Sequence, residues 1–372
     1  MIKQLKSFTI NIVAGANAAT ILLMVLSGYS DRIHPQDYPT LSVMGMAFPV
    51  FLIVNLLFLF FWLTFKWKKM WIPILGFALV YVPLTVYMPI HKTQEVPEGT
   101  IKLLSYNVCQ YGGNYKYEYG FETVYEYLKD QDADIVCLQE DVDSWRRFCF
   151  QWYKKIYAYN DTTIFRNDRN GMNGVGIHTK YPILKKERIP YKSVGNGSVA
   201  YYLKIQDDTV IVINNHLEGT HLSNEDRDNY KRMLKGEMKR DTAKAETLML
   251  IGKLGKYAAK RAPEAEAVHN YIESHRQYPI IVCGDFNDNP ISYSRRTIAQ
   301  GLTDCFKETG CGIGLSYNQK GFFFRIDHIF CSDDFTPYNC EIDSKMDASD
   351  HYPIICRLKL VDKPKKNDEN RL

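Results

Sequence analysis

The sequence predicts an α/β domain carried behind three membrane-spanning helices. Three observations predict it: apolar segments fill the first ninety residues, short β-rich apolar runs recur from Ile101 to Val361, and helix-period stretches lie between those runs. At 372 residues the chain exceeds one typical domain, so one core plus an appendage is expected. The boundaries drawn from composition are a membrane anchor over 1–90, a polar linker over 91–100, a folded domain over 101–361 and a charged, disordered tail over 362–372.

The apolar segments run from Phe8 to Leu26, Leu41 to Phe65 and Met70 to Ile90. Each reaches the ~20 residues a helix needs to cross a ~30 Å hydrocarbon layer. The run Val50–Phe61 contains one polar residue, Asn55, and no charge. Lys3 and Lys6 before the first segment also fit a signal peptide, yet the two later spans would keep the chain in a membrane after cleavage. Pro73, Pro83 and Pro89 predict a kinked third span. Lys3, Lys6, Lys66, Lys68 and Lys69 mark the cytoplasmic ends, with Trp62, Trp67 and Trp71 around the second group as interfacial aromatics. Three spans then place the amino terminus inside and everything after His91 outside. The expected location is a multi-pass cell (inner) membrane protein with an extracytoplasmic, periplasmic domain and a bilayer contact through residues 8–90.

Within the domain, Ile101–Tyr106 and Asp134–Leu138 read as strands, with a helix at Phe121–Lys129 between them, where Val124, Tyr125 and Leu128 recur at three and four. Gly174–His178, Val199–Ile205 and Val210–Asn214 are further strands, the last two joined by a tight Asp207-Asp208 turn. Ser223 to Arg276 is helical and charged. Ser223 or Asn224 caps it with Asp226 in the first turn, Gly252, Gly255 and Pro263 break it, and its charge reads as a solvated face. The runs at Tyr278–Cys283 and Ile354–Val361 supply two more strands.

The net charge of +4 is too small to argue for nucleic acid. All nine Cys lie at or beyond Cys109, and no CxxC pair suggests zinc. Cys137, Cys283 and Cys356 fall in apolar runs as small core residues, and Cys305 and Cys311 are close enough in sequence to pair, which spacing alone does not decide.

Polar clusters abut the strands. In chain order they are Ser105-Tyr106-Asn107-Val108, Leu138-Gln139-Glu140, Asn214-Asn215-His216-Leu217-Glu218, Gly284-Asp285-Phe286-Asn287-Asp288, Arg325-Ile326-Asp327-His328 and Ser349-Asp350-His351-Tyr352-Pro353. Taken in this order, the chain from about Ile101 to Leu360 resembles the endonuclease/exonuclease/phosphatase superfamily. The resemblance implies a four-layer α/β (α+β) sandwich, two packed, mostly antiparallel β-sheets flanked by helices. It also implies metal-assisted phosphoester hydrolysis.

A phosphodiester repels nucleophiles and has a poor leaving group, so it needs a cation, an in-line water and help for the departing oxygen. Hard oxygen ligands suit Mg2+, with Mn2+ as a substitute. Glu140 and Asp350, with Asn107 as a neutral oxygen, match the family's metal site. Asp327 and His351 match its carboxylate–imidazole pair, in which the free ring nitrogen is a general base or stabilises the phosphate. Asp285 and Asn287 would orient water and donate to a phosphoryl oxygen. His216 would protonate the leaving oxygen or bind phosphate, and Arg325 would contact phosphate or cap a strand edge. His328 should point away from Asp327 because strand side chains alternate. His178, His221, His269 and His275 match no motif.

The family's subgroups are not equally close. Inositol 5-phosphatases carry Trp before the Gly-Asp turn, where Cys283 stands here, and Cys-Asp-Arg where Phe324-Arg325-Ile326-Asp327 stands; abasic-site endonucleases place Tyr near His216. The leading expectation is a membrane-anchored nuclease of this family. A phospholipid or sphingomyelin headgroup phosphodiesterase or phosphatase is the alternative, and a catalytically silent binding module comes third.

Overall fold

The computed structural model describes residues 2–112, 120–142, 151–168, 171–193, 195–319 and 322–361. The expected tail over 362–372 lies outside the described residues.

The first apolar segment is one helix, α1 (Ile2–Gly28), and the second centres on α2 (Phe48–Phe65). Between them, residues 29–47 form short turns, including Pro39–Ser42 and Met44–Ala47. Among the described residues two stretches, Ser7–Gly28 and Pro39–Phe65, are long and apolar enough to cross a membrane. Polar glue joins them. Asn17 Nδ2 donates to Asn55 Oδ1 (2.9 Å), and Trp62 Nε1 donates to Asn17 Oδ1 (2.9 Å), which satisfies buried amides inside an apolar pair.

The expected third span is not a single helix. α3 (Trp71–Leu79) and α4 (Tyr81–Tyr87) meet at Val80, and the third apolar stretch is bent there by 65°. Pro83 has no N–H for the Leu79 carbonyl four residues back. The Tyr29 hydroxyl donates to that carbonyl instead (2.9 Å). Pro73 sits in the first turn of α3, where no N–H is needed, and causes no break.

Two six-stranded sheets form the domain. The first has the order β13 (Phe335–Ile342), β14 (Ile354–Leu360), β1 (Ile101–Asn107), β2 (Ile135–Gln139), β4 (Gly171–Thr179), β3 (Tyr159–Asp168). The second has β5 (Ile183–Arg188), β6 (Gly197–Ile205), β7 (Asp208–His216), β8 (Ile280–Asp285), β12 (Asp327–Cys331), β9 (Thr303–Asp304). Only β1–β2 and β7–β8 pair in parallel among the described strands. β10 (Tyr317–Gln319) and β11 (Phe322–Phe324) make a separate hairpin. Alternate residues such as Leu103, Cys137, Val212 and Ile329 fill the seam between the sheets. The outer faces are covered by α5 (Gly120–Gln131), whose Val124 and Leu128 are buried, and by α7 (Arg240–Ser274) through Ala265, Val268 and Ile272. This is the expected four-layer sandwich.

Several boundaries differ from expectation. The β6–β7 turn is Gln206-Asp207, with Gln206 at φ 53°, and Asp208 already pairs with Ile205. Ser223 caps α6 (Asn224–Leu234) in a reciprocal box with Asp226, as expected. Gly252, Gly255 and Pro263 do not break the charged run. α7 continues through all three, and the break falls at residues 235–239. Its charge is not all solvated either: Arg261 is 2% and Glu264 1% exposed. The linker is not free, since His91 N donates to Gly310 O (3.2 Å) and Asn339 Oδ1 accepts from Gln94 N (2.7 Å). All eight described cysteines are unpaired. Cys305 lies beside Cys331 (3.7 Å) rather than Cys311, which is exposed.

The amino-terminal helices and the domain share an interface. Ile291 packs with Met24, Phe48 and Tyr87, and His34 Nε2 lies 2.9 Å from Glu266 Oε1. Gly45 is required there, because a Cβ would collide with the Ile291 carbonyl. α2 then carries the chain roughly 27 Å away, at 1.5 Å per residue over its 18 residues, to the Lys66–Lys69 link. The domain and the lysines therefore lie at opposite ends of the helices.

Candidate active site

The topology brings the polar clusters to one edge of the sandwich. Because β1 runs parallel to β2, and β7 to β8, Asn107, Gln139, His216 and Asp285 all lie at C-terminal strand ends. β12 and β14 run antiparallel to β8 and β1, so their beginnings reach the same edge, with Asp327 opposite Asp285 and His351 just before β14. Gly284 makes the approach of β8 to β7 possible. It adopts φ +129°, and any Cβ would overlap the Asn215 backbone. Glu140 and Asn287 also hold positive φ, 54° and 52°, where the chain turns out of β2 and β8.

Asp285 is the hub. Its Oδ2 accepts from Asn107 Nδ2 (3.0 Å) and Asn287 Nδ2 (3.3 Å), and its Oδ1 accepts from Asn287 N (2.8 Å). His351 Nε2 and His216 Nε2 each lie 3.7 Å from the same Oδ2. On its other side His351 Nδ1 meets Asp327 Oδ2 at 2.9 Å. Asp327 is held by its own N–H donating to Ser316 Oγ (3.1 Å). Burial alone would depress His351, but Asp327, Asp285 and Asp350 override it and hold the ring up at about 10, as an imidazolium. At His216 burial outweighs the Asp285 and Glu218 carboxylates and pulls the ring down. Its Nδ1 is buried without a partner among the described residues.

Glu140 lies beside this hub. Asn107 Nδ2 is 3.3 Å from its Oε1, and His216 Nε2 is 3.9 Å away. Burial first, then the Asp350 carboxylate, pushes Glu140 up to about 7. Two groupings therefore offer oxygen ligands. One is Glu140 and Asp350, beside Asn107, which turns its amide nitrogen to Glu140 and Asp285 while its Oδ1 accepts from Cys109 N (3.0 Å); the other is the buried Asp285–Asp327–His351 cluster, whose ligand atoms lie within 4.8 Å of one another.

All of these residues except Asp327 line one cavity of about 290 Å³. Arg325 does not line it. It is 2% exposed and donates to the carbonyls of Ile313, Val86 (2.5 Å) and Tyr87 (3.4 Å), with its guanidinium 4.2 Å over the Phe306 ring. The expected phosphate contact is thus replaced by a bond to the end of α4, because the buried donor needs acceptors and the helix C-terminus offers free ones. His328 faces away as expected, stacked on Phe330 and 3.3 Å from Asp288 O.

The motifs did not announce several cavity residues. Tyr317 bridges His351 through the backbone and meets its ring edge-on at 5.0 Å. Arg261 of α7 supports the two active loops, with Nε 3.2 Å from Asp288 Oδ2 and Nη1 donating to Glu218 O (3.1 Å). Arg166, Arg227, Asn173 and Asn196 also line the wall, as do Val43 and Met46 from the turns that lead into α2. None belongs to a recurring pattern. The one available signal was Arg261 on the same helical face as Ala258 and Ala265.

A family model described as Endonuclease/Exonuclease/phosphatase family matches residues 104–351, and one described as a domain of unknown function matches 10–87. No curated protein matches the chain. Similar solved structures include D. rerio TDP2 complexed with single-strand DNA product, at 16% identity, 70% of this chain, 100% of that one and TM-score 0.50. Sphingomyelinase C from Streptomyces griseocarneus matches at 15%, 70%, 99% and 0.50. A functionally unknown conserved protein from Enterococcus faecalis V583 matches at 15%, 70%, 100% and 0.50. At these identities the likeness is one of fold.

Proposed function

Because the chain belongs to the endonuclease/exonuclease/phosphatase family, we propose that it is a membrane-anchored, Mg2+-dependent phosphodiesterase. The observation that carries this reading is the convergence of Asn107, His216, Asn287 and His351 on Asp285 beside a second carboxylate pair, Glu140 and Asp350. The donor set fits a hard divalent cation. Among the described residues Glu140 and Asp350 are two crowded carboxylates with no cationic side chain within hydrogen-bond distance, whereas Asp327 is bound to the His351 ring at 2.9 Å and Asp285 lies 3.7 Å from it. We therefore assign the cation to Glu140 and Asp350, joined by Asn107 through the flipped orientation of its amide, which would turn Oδ1 toward them. When bound, it supplies charge neutralisation on a phosphoryl oxygen.

The residues around it have separate tasks. Asp285, whose pKa burial raises, holds the attacking water and receives its proton. His351 is an imidazolium and stabilises charge on the phosphoryl group rather than acting as base, with Asp327 fixing its ring. Asn287 donates to a phosphoryl oxygen, and His216 gives a proton to the leaving oxygen. Arg166 and Arg227 bring two guanidinium groups to the cavity wall, where they would meet the phosphate of the diester.

The test uses the whole chain in detergent with bis(4-nitrophenyl) phosphate, plasmid DNA, RNA and sphingomyelin. Hydrolysis of at least one diester with magnesium, abolished by chelator and restored by magnesium or manganese, is expected. Full activity after rigorous chelation would sink the metal assignment.

The lysine pattern and the opposite placement of domain and lysine link support an extracytoplasmic domain and a cytoplasmic amino terminus. The α3–α4 pair then crosses as one broken span. An alkaline-phosphatase reporter fused after Gly99 should be active in a bacterial host and one fused at Lys68 inactive; the reverse pattern would overturn the orientation.

A further inference from the structure

The anchor supplies part of the wall of the catalytic cavity. Val43 and Met46, from the turns that lead into α2, line the same cavity as Asp285, His351 and Glu140. Val43 is 8% exposed and packs with Leu250, Leu254 and Ala258 of α7. Met46, Leu222 and Phe324 pack against that cluster, and Leu222, Leu254 and Phe324 line the cavity too. One side of the cavity is thus an apolar strip, while the other holds the carboxylates, imidazoles and amides.

The strip is also continuous with the apolar anchor. Val43 and Met46 belong to the stretch Pro39–Phe65, which is 27 residues long. A hydrocarbon core of ~30 Å needs only ~20 of them. The 18 residues of α2 alone rise roughly 27 Å, so the short turns that carry Val43 and Met46 stand at the edge of that core. That is the depth of the polar headgroups, where lipid phosphates lie. Gly45 and Ile291 lock these turns against the domain, so the cavity does not drift from that depth.

Resting on the phosphodiesterase reading above, we propose that Val43 and Met46 contact substrate and set its specificity, and that the substrate they select is an amphiphilic lipid phosphodiester. Its phosphate would sit among Asn107, His216, Asn287 and His351, with the first methylenes of its chain along Val43, Met46 and Leu254. In the reaction, water oxygen bonds to phosphorus and one P–O ester bond breaks. The water proton passes to Asp285, and the departing alkoxide takes a proton from His216. The products are a phosphomonoester and an alcohol.

The experiment compares three esters with the same 4-nitrophenol leaving group: 4-nitrophenyl hexadecyl phosphate, 4-nitrophenyl ethyl phosphate and thymidine 5′-(4-nitrophenyl phosphate). The full chain is used in non-ionic micelles at fixed detergent. The hexadecyl ester should have a kcat/KM at least about tenfold above the ethyl ester, the value of roughly two buried methylenes. Val43→Ser and Met46→Ser should each lower that hexadecyl-to-ethyl ratio several-fold. The ratio is independent of how much enzyme folds, so partial misfolding does not blur the result. Equal kcat/KM for the two alkyl esters, a ratio unmoved by both substitutions, or a preference for the thymidine ester would overturn the lipid assignment while leaving the phosphodiesterase reading intact. No hydrolysis of any ester would overturn both.

Discussion

His351→Ala and Asp327→Ala each lower kcat by ~10²–10³-fold, the cost of losing one electrostatic donor, with a much smaller change in KM. The geometry makes the two a unit. Asp327 holds Nδ1 of His351 at 2.9 Å, so Nε2 is aimed at Asp285 and the cavity. Without Asp327 the ring loses both its orientation and the first carboxylate that keeps it charged. The double variant should therefore cost little more than the worse single one. His216→Ala should also slow turnover, but its loss should shrink with 4-nitrophenol as leaving group, because that oxygen departs without a proton. His351→Ala should gain nothing from the better leaving group, since its charge acts on the phosphoryl group. Equal rescue of both would exchange the two assignments, and near-normal kcat for His351→Ala would remove the pair from the mechanism.

The strands that carry these residues were legible because they are buried on both faces. Runs such as Ile280–Cys283 and Ile135–Leu138 are continuous apolar sequences closed by a polar residue, and the structure ends each strand there. β3 and β5 were missed because both are polar, Tyr159–Asp168 and Ile183–Arg188, at the outer edges of their sheets. Their order comes from ladder hydrogen bonds that periodicity does not record. The cross-sheet ties were equally silent. Gln139 Nε2 donates to Asn214 Oδ1 (2.7 Å), joining β2 to β7 beneath the site, yet each residue in sequence is only one more amide at a strand end.

The breaks show the same division between local and tertiary information. Gly252, Gly255 and Pro263 disfavour a helix locally, but burial of Leu250, Leu254 and Ala258 on the anchor side and Ala265, Val268 and Ile272 on the sheet holds α7 continuous. Pro83 is buried as well, yet the third apolar segment breaks three residues before it, at Val80, where the Tyr29 hydroxyl takes up the Leu79 carbonyl that Pro83 leaves without an N–H. Arg325 was misread for a related reason. An arginine two residues before a catalytic-type aspartate suggests phosphate, but its partners are the carbonyls at the end of α4, 238 residues away in sequence. The sequence signal of a guanidinium does not say which acceptor reaches it first.

Glu140→Gln raises the magnesium concentration needed for half-maximal activity by at least ~10–100-fold, the range seen when even supporting groups around a metal are lost. The same change should raise the melting temperature of the metal-free protein. In that state Glu140 and Asp350 repel each other in a half-buried site, and Glu140 is pushed up to about 7. A carboxyl whose folded pKa lies above its unfolded one costs stability as pH rises from the unfolded value towards the folded one. Metal-free wild type should thus lose stability between about pH 4.5 and 7 relative to Glu140→Gln, which has no carboxyl to ionise there. Magnesium should reverse the ranking, because a ligand that binds only the folded state stabilises it in proportion to its affinity. Thermal melts at pH 7 with and without magnesium read both effects without any substrate. Asp350→Asn should behave alike, whereas Asp327→Asn should leave the magnesium-induced shift largely in place. An equal magnesium shift in wild type and Glu140→Gln would move the cation to the Asp285–Asp327–His351 cluster, and loss of the shift in Asp327→Asn alone would confirm that move.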